Sequence, residues 1–176
     1  MHIDSLRYCW PKITTTADLC RKSDILLFTT KEVDKSTISK LWKPEKVRVE
    51  LYNNPGYEAG SILALSRALE MRWFDGYDWV VRINPDVIIR DDHFILENML
   101  DKGVDGIFAS CSGVDYCKHP QCTQVQQVNT DFFAVRPRIL SPGPVVHDNA
   151  EDTFTRMVMP TILAGRDRWL PDQYGS

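Results

Sequence analysis

Hydrophobic residues along this chain switch between two spacings, and the switches mark its elements. Residues 24–29 hold Ile25, Leu26, Leu27 and Phe28 in a row, the continuous apolar run of a strand covered on both faces. Residues 36–42 read as a short helix, with Ser36 as its N-cap and Pro44 beyond its end. Residues 46–52 alternate, placing Val47, Val49 and Leu51 on one side of a second strand. The turn Asn53-Asn54-Pro55-Gly56 precedes a helix expected over 58–74. There Ile62, Leu65, Leu69 and Trp73 form one apolar stripe, and Gly76 is the expected C′ residue.

The second half continues the alternation. Residues 77–83 are aromatic and β-branched, as in a strand. Asn84-Pro85-Asp86 interrupts it, and Val87-Ile88-Ile89 resumes extended chain. Asp91 or Asp92 caps a short helix reaching Leu100. Strands are expected at 106–110 and 128–135, the latter stopping at Arg136-Pro137. A long polar loop, 111–127, lies between them, and loops of that length are usually functional or mobile. A helix over 150–164 buries Phe154, Met157, Val158 and Ile162, with Pro160 inside it, and Trp169-Leu170-Pro171 is a last extended piece. Strands alternating with helices predict an α/β fold.

Composition changes this picture little. A length of 176 residues is one domain's worth, and 43% hydrophobic with 26% charged residues is ordinary globular usage. The net charge of −3 argues against binding nucleic-acid phosphates non-specifically. No apolar run reaches the roughly 20 residues of a membrane span, and the first ten residues do not read as a signal peptide. Cys9, Cys20, Cys111, Cys117 and Cys122 are odd in number, so one thiol at least has no partner within the chain. A cytoplasmic, reducing compartment fits the chain as it stands. The Golgi or another secretory lumen fits if a longer parent carries an anchor. Cys111, Cys117, His119 and Cys122 could ligate zinc, but the wide first gap favours a disulfide or free thiols.

The stretch around Asn84-Pro85-Asp86 carries the most chemistry. Ligands of open α/β sheets sit at the carboxyl ends of strands. A carboxylate two residues from an amide oxygen suits a hard divalent cation, Mg²⁺ or Mn²⁺. Pro85 holds Asn84 extended. A plain turn, with both side chains bonded to local backbone, is the alternative. Arg82, near the end of an apolar strand, needs an anionic partner: a diphosphate, or an acid of the chain.

This segment resembles the metal-binding strand of nucleotide-diphospho-sugar glycosyltransferases with the GT-A fold, with Asn84-Pro85-Asp86 at the place of an Asp-x-Asp motif. Three further segments are similar in order and spacing: Gly56–Phe74, Asn129–Pro137 and Val146–Asp152. The resemblance spans about Asp24 to Pro171. It implies a GT-A-like, mixed but mostly parallel sheet flanked by helices in a single domain. Because no convincing strand lies in 1–22, the chain is expected to start one strand late, as a piece of a longer protein would.

The activity implied is metal-dependent transfer of a sugar from a nucleotide-diphosphate donor to a carbohydrate or protein hydroxyl. Asp86, with His147, would hold Mn²⁺ or Mg²⁺ against the leaving diphosphate. Arg82, Asn84 and Asp131 would contact the donor, and Arg166 or Arg168 is a further source of positive charge for the diphosphate. Glu151 or Asp152 would take the acceptor's proton. The same two acids also fit the capped first turn of a helix, His147 fits an exposed loop histidine, and Asp131 fits a strand-end acid paired with Arg136 or Arg138. The rival to an enzyme is a catalytically silent GT-A-like fragment or binding module.

Overall fold

The structure is a computed structural model and describes residues 8, 10–12, 14, 17–84, 87–110, 128–141 and 150–171. Its elements, in chain order, are α1 (Asp18–Lys22), β1 (Ile25–Thr29), α2 (Lys35–Leu41), β2 (Val47–Leu51), α3 (Tyr57–Glu70), β3 (Val80–Ile83), α4 (His93–Leu100), β4 (Gly106–Ser110), β5 (Val128–Val135), α5 (Ala150–Leu163) and β6 (Asp167–Trp169). The fold is mixed α/β, with parallel and antiparallel pairings. Contacts group it into two units: Met1–Asn54 with Pro85–Leu96, and Pro55–Asn84 with Glu97–Ser176. Among the described residues no helix is long and apolar enough to cross a membrane.

In the first unit β1 and β2 pair in parallel, from Ile25 opposite Val47 to Thr29 opposite Leu51, with α2 between them in sequence. Ile38 and Leu41 of α2 and Leu19 and Cys20 of α1 are buried. Trp10 meets Trp42 edge-on, with ring centroids 5.4 Å apart. The cap of α2 is Asp34, not the expected Ser36. The Asp34 carboxylate accepts the Thr37 N–H at 2.8 Å and the hydroxyls of Ser36 and Thr37 at 2.5 and 2.7 Å. Those bonds, the Ser36 hydroxyl's first, hold its pKa well below the usual carboxylate range.

In the second unit four strands are ordered β3-β5-β4-β6. Strand β5 is antiparallel to both neighbours, while β6 pairs with β4 in parallel. Three strands therefore run one way and β5 the other. Helices α3 and α5 cover one face: Ile62 and Leu65 of α3, and Phe154 and Val158 of α5, pack with Phe108, Val128, Phe133 and Val135. The predicted stripe of α3 and the buried side of α5 are thus both present.

Three boundaries differ from expectation. Helix α3 stops at Glu70 and closes in a Schellman motif, with Trp73 N–H on the Ala68 carbonyl at 2.9 Å and Arg72 N–H on the Leu69 carbonyl at 3.0 Å. The left-handed residue at its end is Arg72 (φ 56°), not Gly76. Strand β3 begins only at Val80, because Tyr77 is exposed beyond the sheet. Val87–Ile89 forms no strand. The region 111–127, the turn 142–144, His147 and Asp86 lie outside the described residues.

Candidate functional site

The carboxyl end of β3 is where the sequence places its chemistry. Arg82 is paired across the ladder with Phe133, and Ile83 with Phe132. The ladder continues one step beyond the strand, with the Asn84 N–H on the Asp131 carbonyl at 2.9 Å. Side chains repeat this link. Asn84 Nδ2 donates to Asp131 Oδ1 at 2.5 Å, and Arg82 Nη2 donates to Asn84 Oδ1 at 3.1 Å. Arg82, Asn84 and Asp131 thus form one chain of hydrogen bonds. The Arg82 guanidinium carbon lies 5.9 Å from the centroid of the Phe154 ring, a distance at which the ring's negative face attracts it.

The strand opposite is irregular at this place. Phe108 of β4 pairs with Phe133, and Ser110 with Val128. Between those pairs β4 advances two residues and β5 five, so three residues of β5 are surplus. Bulges re-aim side chains and recur beside functional sites. This one holds Asn129, Thr130 and Asp131, and the Asn129 Oδ1 accepts the Asp131 N–H at 2.7 Å.

Helix α5 fastens the bulge. The Thr130 hydroxyl donates to Glu151 Oε1 at 2.5 Å, and the Val128 N–H donates to Thr155 Oγ1 at 3.0 Å. Thr130 and Thr155 are buried, and the Phe133 and Phe154 rings sit 4.8 Å apart between these links. Glu151 and Thr155 are four apart, hence on one face of the helix. Asp152 is turned about 100° from Glu151 and is half-buried. Of the predicted site residues, then, the structure joins Arg82, Asn84 and Asp131, sets Glu151 on the residue next to Asp131, and puts Asp152 on a different side of the helix. Thr130, Thr155 and Asn129 were missed. Their signal is a polar triplet, Asn129-Thr130-Asp131, inside an otherwise apolar strand, and a threonine on the apolar side of a helix.

Arg166 and Arg168 prove to be elsewhere. They lie at the opposite end of the sheet, where β3, β4 and β6 begin. Arg166 Nε donates to Asp105 Oδ2 at 2.6 Å, and Arg168 Nη2 is 3.5 Å from Asp101 Oδ2. Arg138 also binds Asp105, and Arg136 Nε stands 3.6 Å from Asp105 Oδ1. Asp105 is buried, and the Arg166 bond foremost holds its pKa below the usual carboxylate range, against the opposing effect of burial. Held by the buried Asp105 at that end of the sheet, Arg166 does not belong to the candidate site at the carboxyl end of β3. Asp131, for its part, pairs with Asn84 rather than with Arg136 or Arg138.

The described side chains at the carboxyl end of β3 offer oxygen. Asn84 Oδ1 already accepts from a guanidinium, so Asn84 is better suited to orient than to ligate a cation. Asp131 is exposed and presents a carboxylate. Mg²⁺ is commonly held by one or two carboxylates together with substrate phosphates, and Asp131 supplies one carboxylate here. Among the described residues no group of three metal-ligating side chains occurs. Comparison of the chain with protein-family models, with curated proteins and with solved structures found no match.

Proposed function

We propose that this chain is a GT-A-like, metal-dependent glycosyltransferase, moving a sugar from a nucleotide diphosphate to a carbohydrate or protein hydroxyl. The observation that carries the reading is the hydrogen-bonded line Arg82–Asn84–Asp131, which links residues 47 positions apart at a strand's carboxyl end. Strand-end crevices are where open α/β sheets bind ligands, and position 86 follows two residues later.

In this reading Asp86, with His147, holds Mn²⁺ or Mg²⁺, which when bound neutralises the leaving diphosphate. Arg82 adds fixed positive charge beside it, kept in place by Asn84 and the Phe154 ring. Asp131 accepts hydrogen bonds from hydroxyls of the donor sugar, its backbone directed by the bulge of β5. Glu151 is the preferred base, because the Thr130 hydroxyl already fastens its carboxylate to the bulge of β5; a base must sit within hydrogen-bond reach of the proton it takes.

One observation favours the rival, a silent fragment or binding module. Arg82, Asn84 and Asp131 are bonded to one another, and polar groups satisfied internally can serve structure alone. Calorimetry with UDP and with GDP, each with and without Mn²⁺, on the native chain and on Asp86→Ala, separates the two. The transferase reading expects binding that needs Mn²⁺ and is lost in the variant. Lack of any nucleotide binding selects the module.

A further inference from the structure

A second candidate site lies within the first unit. A cleft of about 400 Å³ opens at the amino ends of β1 and β2, lined among others by Arg21, Lys40, Lys43, Lys46 and Trp42. Its volume is within the range of small-molecule pockets. Among the described residues no acid lines it.

Four cations around one concavity repel each other, and something must compensate them. The chain does so only in part. Asp18 pairs with Arg21, but it also holds Lys22 at 2.9 Å, so one negative charge is shared by two cations. Helices α1 and α2 both end here, and each helix end carries at most about half a negative charge. Among the described residues no acid forms an ion pair with Lys40, Lys43 or Lys46. Lys46 reaches only a carbonyl, that of Lys22, at 3.4 Å. The Asp92 charge acts on Cys20 in the wall, and Asp24 and Glu45 adjoin lining residues in sequence, yet among the described residues no ion pair ties them to Lys40, Lys43 or Lys46, which keep the wall positive. The wall also contains a donor in need: the Trp42 indole N–H is buried and meets no acceptor, a state that costs about 1–3 kcal/mol.

We infer that this cleft binds an anion, the phosphate group of a small organic molecule whose remainder packs on the Trp42 ring. The lysines around the cleft suit such a group, and the cleft is several times larger than the group alone. The site needs no divalent metal.

The test is an NMR titration of the ¹⁵N-labelled full-length chain in EDTA with inorganic phosphate, sulfate and phenyl phosphate in turn, following the Trp42 indole signal. Sodium chloride at equal ionic strength is the control. The expected result is a saturable shift with at least one of the dianions, tighter for phenyl phosphate than for inorganic phosphate, and none with chloride. The sulfate arm tests whether charge and tetrahedral shape alone suffice. In Lys40→Gln/Lys43→Gln, where both side chains are exposed and folding is not at stake, affinity should fall about tenfold. In Arg82→Gln it should not change. A shift that never saturates, equals that of chloride, or is the same in the double variant overturns the inference. EDTA keeps the outcome independent of the transferase reading, whose binding requires Mn²⁺.

Discussion

Replacing Asp105 by asparagine probes the most charged cluster in the fold. The side chain keeps its size, so no cavity opens; only the charge is removed. In the native chain its carboxylate, with 7% of the side chain exposed, faces three arginines whose side chains are 61%, 40% and 16% exposed: Arg138, Arg166 and Arg136. The first two pairs are open to solvent and contribute about 0.5–1 kcal/mol each. Arg136 is different. It is enclosed, stacked 4.6 Å over Trp79, and bonded by Nε to the Val104 carbonyl at 2.9 Å. Stripping the nearest anion from an enclosed cation costs roughly 1 kcal/mol more, since the carbonyls and the ring still hold it. The sum is about 2–3 kcal/mol, or a Tm lower by about 5–10 °C in a chain of this length.

The loss also has a pH signature. The folded pKa of Asp105 lies below its ordinary 3.8, so its contribution is complete above that value and disappears as pH falls through the folded pKa. Urea unfolding of native chain and variant from neutral to acid pH should show a constant gap near neutrality that closes below about pH 4. A gap under about 0.5 kcal/mol, or one that persists unchanged into acid, would refute the assignment of Asp105 as the anchor of these arginines.

Asn84→Ala removes the donor to Asp131 Oδ1 and the acceptor of Arg82 Nη2 together. Thermal melts should show a loss of about 1–2 kcal/mol, and an unchanged Tm contradicts the hydrogen-bonded line. Arg72 occupies a left-handed position, so Arg72→Gly should be more stable than Arg72→Ala by about 1 kcal/mol in the same assay, and equal stabilities would deny the Schellman end of α3. Cys20 has its thiol pushed up to about 11, by burial first and the Asp92 charge second. Mass-spectrometric mapping after iodoacetamide at about pH 8 should therefore find Cys20 unmodified in the native chain and alkylated in urea, whereas rapid native labelling would mean that the thiol is open to solvent.

The periodic elements of this chain were legible in its sequence. The runs at Ile25–Thr29, Gly106–Ser110 and Val128–Val135 and the stripe of α5 are local patterns, and burial of the apolar members is what makes each pattern a strand or a helix. Arg82 was legible too, because a cation in an apolar strand must find a partner. Which partner it finds was not. Sequence reasoning offered a diphosphate or an acid; among the described residues Arg82 also meets the Asn84 amide two residues on, which strand pairing ties to Asp131, 47 residues away.

Tertiary structure alone decided the rest. Asp34 rather than Ser36 caps α2, since a carboxylate can take three donors where a hydroxyl takes fewer. Arg72 rather than Gly76 ends α3, because helix length is set by how far its stripe can pack. Arg166 left the candidate site because sheet order sends β6 and Asp105 to the far end. Hydrophobic spacing is a property of neighbours in sequence, and it survives being read one segment at a time. Charge pairing depends on distances across a fold, and only the ordering of strands fixes those.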